Sequence, residues 1–127
     1  MSSERLVGII AGFVRRGGSL NSKTSEGHTL LHLCVDEELE SVMQYLLQNG
    51  ADPNIVDGSG WPILAYAVMH EIEAYGQDKV DLTFSMTRRL ILSGADKGSP
   101  SPEGRTPIEI ARVYGPRIEK QLASVLD

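Results

Sequence analysis

Cysteine, aromatic residues and long hydrophobic runs are all scarce in this chain of 127 residues. The single cysteine, Cys34, excludes an intrachain disulfide and a multi-cysteine metal cage, and it fits a reducing compartment. Aromatic residues make up 6% of the chain, which argues against a stacking platform for single-stranded nucleic acid. The apolar run over residues 6–14 is too short to cross a bilayer and has no signal-peptide cleavage site. We therefore expect a cytoplasmic protein with a short helix over residues 4–16.

Basic residues are nearly absent from the middle of the sequence. Residues 24–81 hold eleven acidic residues and one lysine, a net charge of −10, whereas residues 1–23 carry +3 and residues 82–127 carry +2. A total of −5 disfavours direct binding to a phosphate backbone. The acidic segment is either a solvated surface or a face that attracts a partner protein with a basic surface.

Two landmarks repeat along the chain. Similar stretches begin at three glycines: Gly-His-Thr-Leu-Leu-His-Leu-Cys at 27–34, Gly-Trp-Pro-Ile-Leu-Ala-Tyr-Ala at 60–67, and Gly-Arg-Thr-Pro-Ile-Glu-Ile-Ala at 104–111. Gly-Ala-Asp occurs at 50–52 and again at 94–96. The first spacing is 33 residues and the second is 44, so eleven extra residues lie between Gly60 and Gly94. Because both landmarks recur with the same spacing as each other along the chain, the sequence indicates a repeat architecture.

Each stretch carries the signals of a helix start. Thr29 and Thr106 are good N-cap residues, and Pro107 suits the first helical position. Apolar residues then follow at helical spacing, and a second amphipathic segment completes each unit. A single helix pair cannot bury its own apolar stripe, so neighbouring pairs are expected to stack.

This pattern resembles the ankyrin repeat, with its period of about 33 residues and its Thr-Pro-Leu-His-x-Ala helix start. The resemblance implies an all-α solenoid of stacked helix pairs with short β-turn fingers, one domain over residues 1–127. The expected units are an N-terminal capping half unit at 1–20, a full unit at 21–53, an expanded unit at 54–97 and a C-terminal capping unit at 98–127. Leu30, Ala65 and Glu109 depart from the motif, and Glu38 stands where the family prefers glycine.

The extra residues are expected between the two helices of the expanded unit, over residues 70–81. We predict that they lengthen the first helix to Tyr75, that Gly76 breaks it, and that Asp78 or Asp81 caps the next helix.

No constellation of residues points to catalysis. His32 is the motif histidine, and the resemblance implies that it ties adjacent units together through backbone hydrogen bonds. Cys34 falls where the family places a small buried residue. No nucleophile–base pair, phosphate loop or His pair at metal-ligand spacing is present in the sequence. We therefore expect no enzymatic activity, no cofactor and no metal.

The resemblance instead implies a binding face built from finger tips and the exposed sides of the inner helices. It assigns to an acidic, aromatic, concave face the following residues: Glu26, His28, Asp36, Glu37, Asp57, Ser59, Trp61, Tyr66, Met69, His70, Glu71, Arg105 and Tyr114. The expected ligand is a basic protein, with no membrane or direct nucleic-acid contact, and the free protein is expected to be a monomer. An alternative is a dedicated inhibitor, such as a bacterial immunity protein or antitoxin covering a basic nuclease-type toxin. Direct nucleic-acid binding is a third, disfavoured reading.

Overall fold

Seven helices form the described part of the chain, residues 2–78 and 82–127 of a computed structural model. They are α1 (Ser3–Arg15), α2 (Leu30–Asp36), α3 (Glu40–Gln48), α4 (Ile63–Asp78), α5 (Ser85–Leu92), α6 (Pro107–Val113) and α7 (Pro116–Leu126). Isolated antiparallel bridges join Lys23 to Thr29 and Val56 to Pro62 at the bases of two fingers. None of the helices in these residues combines the length and apolarity needed to cross a bilayer.

The helices pack in two layers. Helices α2, α4 and α6 contact one another in chain order and form an inner layer. Helices α1, α3, α5 and α7 do the same and form an outer layer. Each helix from α2 onward also packs against the other member of its pair. The predicted all-α solenoid of helix pairs is therefore confirmed.

The predicted helix starts are also confirmed. The Thr29 hydroxyl accepts a hydrogen bond from the His32 backbone N–H at 3.0 Å. Thr106 forms a capping box, in which its hydroxyl accepts from the Glu109 N–H and the Glu109 carboxylate accepts from the Thr106 N–H. These bonds satisfy backbone donors that the first turn of a helix leaves free.

The core lies between the two layers. Val35 and Val68 occupy matching positions in α2 and α4, and both are fully buried. Met43 and Leu46 of α3 and Phe84 before α5 close the core from the outer layer. Burial of apolar area between stacked pairs is the main source of stability in such an array.

The insertion differs from its prediction. Helix α4 runs through Gly76 to Asp78, because one glycine costs a helix interior only about 1 kcal/mol and Ile72 and Tyr75 pack against the core. Helix α5 begins at Ser85, with Phe84 at its N-cap position, so Asp78 does not cap it. Asp81 lies outside the described residues.

Glu38 occupies a backbone conformation that suits glycine. Its φ is +55°, and the equivalent turn of the last unit has Gly115 at φ +111°. A non-glycine residue pays about 1 kcal/mol in this left-handed region. We therefore expect Glu38→Gly to raise the free energy of unfolding by about 0.5–1 kcal/mol relative to Glu38→Ala, as measured by urea denaturation. The alanine variant is the matched control, since it removes the same side chain and keeps the strain; equal stability of the two would contradict the prediction.

Candidate functional site

His32 connects the first full unit to the next finger. Its Nε2 donates a hydrogen bond to the Trp61 carbonyl at 2.8 Å, and its Nδ1 lies 2.6 Å from the Thr29 hydroxyl. Burial lowers the pKa of His32, so the ring is neutral at pH 7. The predicted structural role of His32 is confirmed.

Asp57 shapes the finger that carries Trp61. One carboxylate oxygen of Asp57 accepts hydrogen bonds from the backbone N–H groups of Ser59 at 3.0 Å and Trp61 at 2.9 Å. The other oxygen lies 3.9 Å from His32 Nε2. The backbone of Trp61 is therefore held from both sides, by Asp57 through its N–H and by His32 through its carbonyl. The Asp57 side chain is only 9% exposed, so its carboxylate acts within the finger and not at the surface.

An aromatic strip runs across the inner layer. The rings of Trp61 and Tyr66 meet edge to face, with centroids 6.0 Å apart, and Tyr66 lies 4.9 Å from the ring of His32. Trp61, Met69 and Tyr114 line one small cleft of about 70 Å³ between the second and third inner helices. Tyr114 is 46% exposed, so the strip is open to a partner at this end.

Carboxylates border this strip. The Tyr66 hydroxyl donates a hydrogen bond to Asp36 Oδ1 at 2.5 Å. Burial, reinforced by Asp36, raises the pKa of Tyr66 to about 12. Burial also raises the pKa of Tyr114, and the charges of Glu73 and Glu103 act in the same direction. Glu73 was not assigned to this face from the sequence, since its place beside Tyr114 depends on how α4 packs on α6.

The Glu71 carboxylate is hydrogen-bonded to the start of α5 and does not lie with the aromatic strip. Its carboxylate accepts hydrogen bonds from the backbone N–H groups of Met86 at 3.2 Å and Thr87 at 3.0 Å, and from the Thr87 hydroxyl at 2.7 Å. It therefore caps α5 from another helix, which explains why no local side chain does so. Burial raises the pKa of Glu71, against the opposing effect of these hydrogen bonds.

His70 lies near the turns between paired helices. Its Nε2 is 3.7 Å from a Glu38 carboxylate oxygen, and both residues line a separate cleft of about 280 Å³. The remaining predicted residues are exposed on the fingers or beside the strip: Glu26, His28, Glu37, Ser59 and Arg105. Arg105 pairs with Glu103 at 3.6 Å.

We call the surface that the structure brings together the inner-helix face. It consists of Asp36, Glu37, Trp61, Tyr66, Met69, Glu73, Val113 and Tyr114. It has an apolar, aromatic centre and an acidic border, a composition that suits non-covalent contact with another protein. Burial raises the pKa of Cys34 to about 12, which leaves the thiol protonated. Within residues 2–78 and 82–127, no three His, Cys, Asp or Glu side chains are grouped to hold a metal.

Comparisons with known proteins agree with this architecture. A family model described as Ankyrin repeat matches residues 26–58. A Rickettsia bellii protein named as an ankyrin repeat protein is 27% identical over 87% of this chain and 30% of its own length. Protein L92 of Acanthamoeba polyphaga mimivirus, also named as an ankyrin repeat protein, is 44% identical over 43% of the chain and 14% of its own length. Mouse Rabankyrin-5 is 26% identical over 79% of the chain and 8% of its own length. The chain thus spans less than a third of these curated relatives.

Proposed function

We propose that this chain, whose residues 26–58 match the Ankyrin repeat family model, binds a basic partner protein through its inner-helix face. Ankyrin repeats are general protein–protein interaction modules, and the family is typically non-catalytic. The fold alone does not select a partner, so the proposal depends on the chemistry of the face.

The observation that carries the proposal is the aromatic strip with its acidic border. Trp61, Tyr66 and Tyr114 are residue types that dominate binding energy when they lie at the centre of an interface. Val113, which is 60% exposed, adds apolar area beside Tyr114. The bonds from His32 and Asp57 to the Trp61 backbone fix the root of this strip, which lowers the entropy cost of binding.

The acidic border supports a basic partner. Asp36 and Glu37 are exposed at the end of α2, within the segment of net charge −10. Charges at the rim of an interface mainly speed association and select the partner. Direct nucleic-acid binding is disfavoured for the same reason, because this field repels phosphates.

Charge reversal tests the proposal. The partner is captured from the native cell with the wild-type protein and purified. Its affinity is measured by calorimetry and its association rate by stopped-flow fluorescence, each at low and at physiological salt. We expect Asp36→Lys with Glu37→Lys to weaken binding by about 1–3 kcal/mol in total and to flatten the salt dependence of the association rate.

Glu4→Lys combined with Asp127→Lys is the matched control, since it makes the same change of charge at the two ends of the outer layer. If both double variants bind equally well, with the same salt slope, the proposed acidic border has no part in binding.

A dedicated inhibitor of a basic nuclease-type toxin is the second candidate, and the strongly acidic segment is the feature that favours it. It predicts that the captured partner is a nuclease that the purified protein blocks at a 1:1 ratio. A partner without nuclease activity would remove this candidate and leave the interaction module in place.

A further inference from the structure

The N-terminal end of the inner layer carries an apolar groove. Leu6, Ile9 and Phe13 of α1 face Leu30 and Leu33 of α2 across a groove of about 620 Å³. Residues 16–29, all of them described, form a turn and a finger, so α1 and α2 have no inner helix between them. The groove therefore lies where an inner helix would precede α2.

The later units show what kind of structure covers this position. Leu33 of α2 corresponds to Ile110 of α6 in the repeat alignment. Leu33 is 42% exposed, whereas Ile110, on which α4 packs, is 6% exposed. Ile63, which corresponds to Leu30, is fully buried because α2 packs on α4. In both later units, a neighbouring helix of the inner layer buries the corresponding residue. Helices α2 and α6 are only seven residues long, so a short helix is enough to bury such a position.

Charge at the rim indicates which helix would fit. Arg16 and Lys23 line the same groove, and neither forms an ion pair with an acidic side chain of the described residues. Residues 1–23 carry a net charge of +3, opposite in sign to the segment that follows. An occupant with an apolar stripe and acidic flanks would satisfy both the groove and its rim.

We propose that this N-terminal groove binds a short amphipathic helix of a partner protein, with its apolar stripe on Leu30 and Leu33 and acidic residues beside Arg16 and Lys23. This is helix-in-groove recognition, read by residues at i, i+3, i+4 and i+7. The groove shares no lining residue with the inner-helix face, and the charges at its rim have the opposite sign, so the two sites select different partners.

Two peptides of opposite charge test the assignment on the full chain. Each is an end-blocked peptide of about 15 residues, long enough for partial helicity, with leucine at i, i+3, i+4 and i+7. One carries glutamate at the remaining positions and the other carries lysine. By fluorescence anisotropy we expect Arg16→Glu to weaken binding of the glutamate peptide about threefold or more, with the loss shrinking as salt is added. Binding of the lysine peptide, which the acidic inner-helix face also attracts, should not weaken in this variant.

Two substitutions locate the peptide. Leu33→Asp is expected to weaken binding of the glutamate peptide at least about tenfold, while Val56→Asp leaves it unchanged. Val56 is the matched control because it is 40% exposed and lies on the next finger. Arg16→Glu removes the charge preference while leaving the apolar lining intact, so it tests the rim even if Leu33→Asp fails to fold.

Three results would overturn the proposal. One is an Arg16→Glu variant that binds the glutamate peptide as tightly as the wild type does, or a wild type that does not bind the glutamate peptide. Another is an equal effect of the Leu33 and Val56 substitutions. The third is a concentration-dependent dimer of the wild-type protein that Leu33→Asp dissolves, since the occupant would then be a second copy of this chain.

Discussion

Replacing Trp61 with alanine is expected to weaken partner binding by about 2 kcal/mol or more, which is the behaviour of an interface anchor. The Trp61 side chain is half-buried, and its ring rests edge-on against Tyr66. Its backbone N–H and carbonyl are held by Asp57 and His32, and these bonds survive removal of the side chain. We therefore expect the loss of folding stability to stay below the roughly 3–5 kcal/mol of a fully buried aromatic.

Tyr45→Ala is the matched control for Trp61→Ala. Tyr45 is a half-buried aromatic residue of α3, in the outer layer away from the inner-helix face. The Tyr45→Ala substitution should lower the free energy of unfolding. It should leave the affinity of the folded protein for its partner unchanged, as measured by calorimetry below the melting transition. A Trp61 variant that melts early and still binds its partner normally would remove Trp61 from the binding face.

Replacing Gly27 with alanine is expected to lower the free energy of unfolding by about 2–4 kcal/mol. Gly27 has a φ of +85°, and a Cβ at this position would lie 2.7 Å from the Cα of Gly58 in the next finger. The Gly58 N–H also donates a hydrogen bond to the Gly27 carbonyl at 2.8 Å. The first two fingers therefore meet backbone to backbone, and a side chain between them must separate the two units.

Gly104→Ala separates the two causes of this loss. Gly104 closes the turn of the last finger at φ +83°, but a Cβ there would have no neighbour within 4 Å. It should lose only the conformational part, about 1–2 kcal/mol by urea denaturation. Equal losses for the Gly27 and Gly104 variants would mean that contact between the fingers contributes nothing to stability.

The sequence was sufficient for those parts of the fold that depend on local chemistry and on the repeat. Caps at Thr29 and Thr106, the role of His32 and the buried stripe of α2 follow from residue types at fixed spacing. Such features recur in each unit with the same neighbours, so one motif predicts the surroundings of all.

The expanded unit shows where this reasoning ends. Phe84 precedes α5 in a left-handed conformation at φ +53°, and the backbone donors of α5 are satisfied by Glu71, some 15 residues earlier in the chain. Capping residues are normally predicted among the positions just before a helix, and for this reason Asp78 or Asp81 was the predicted cap. The cap instead comes from α4 across the helix pair, which only tertiary packing brings close.

For the inner-helix face, the sequence predicted which residues are present better than how they are arranged. Asp36 and Tyr66 were both assigned to it, but the hydrogen bond between them links adjacent inner helices and could not be read from either residue. Asp57 and Glu71 were assigned for their charge, and most of their hydrogen-bonding capacity is used within the fold.

Hydroxyl-radical footprinting of the free protein and of its complex tests the central claim most directly, because aromatic and sulfur-containing side chains react readily and report their own exposure. The proposed complex predicts that oxidation of Trp61, Met69 and Tyr114 falls on binding, while Leu92, which is 87% exposed on α5, stays as reactive as in the free protein. Unchanged oxidation of these three residues, with protection of Leu92 and the outer helices instead, would contradict a partner site on the inner-helix face.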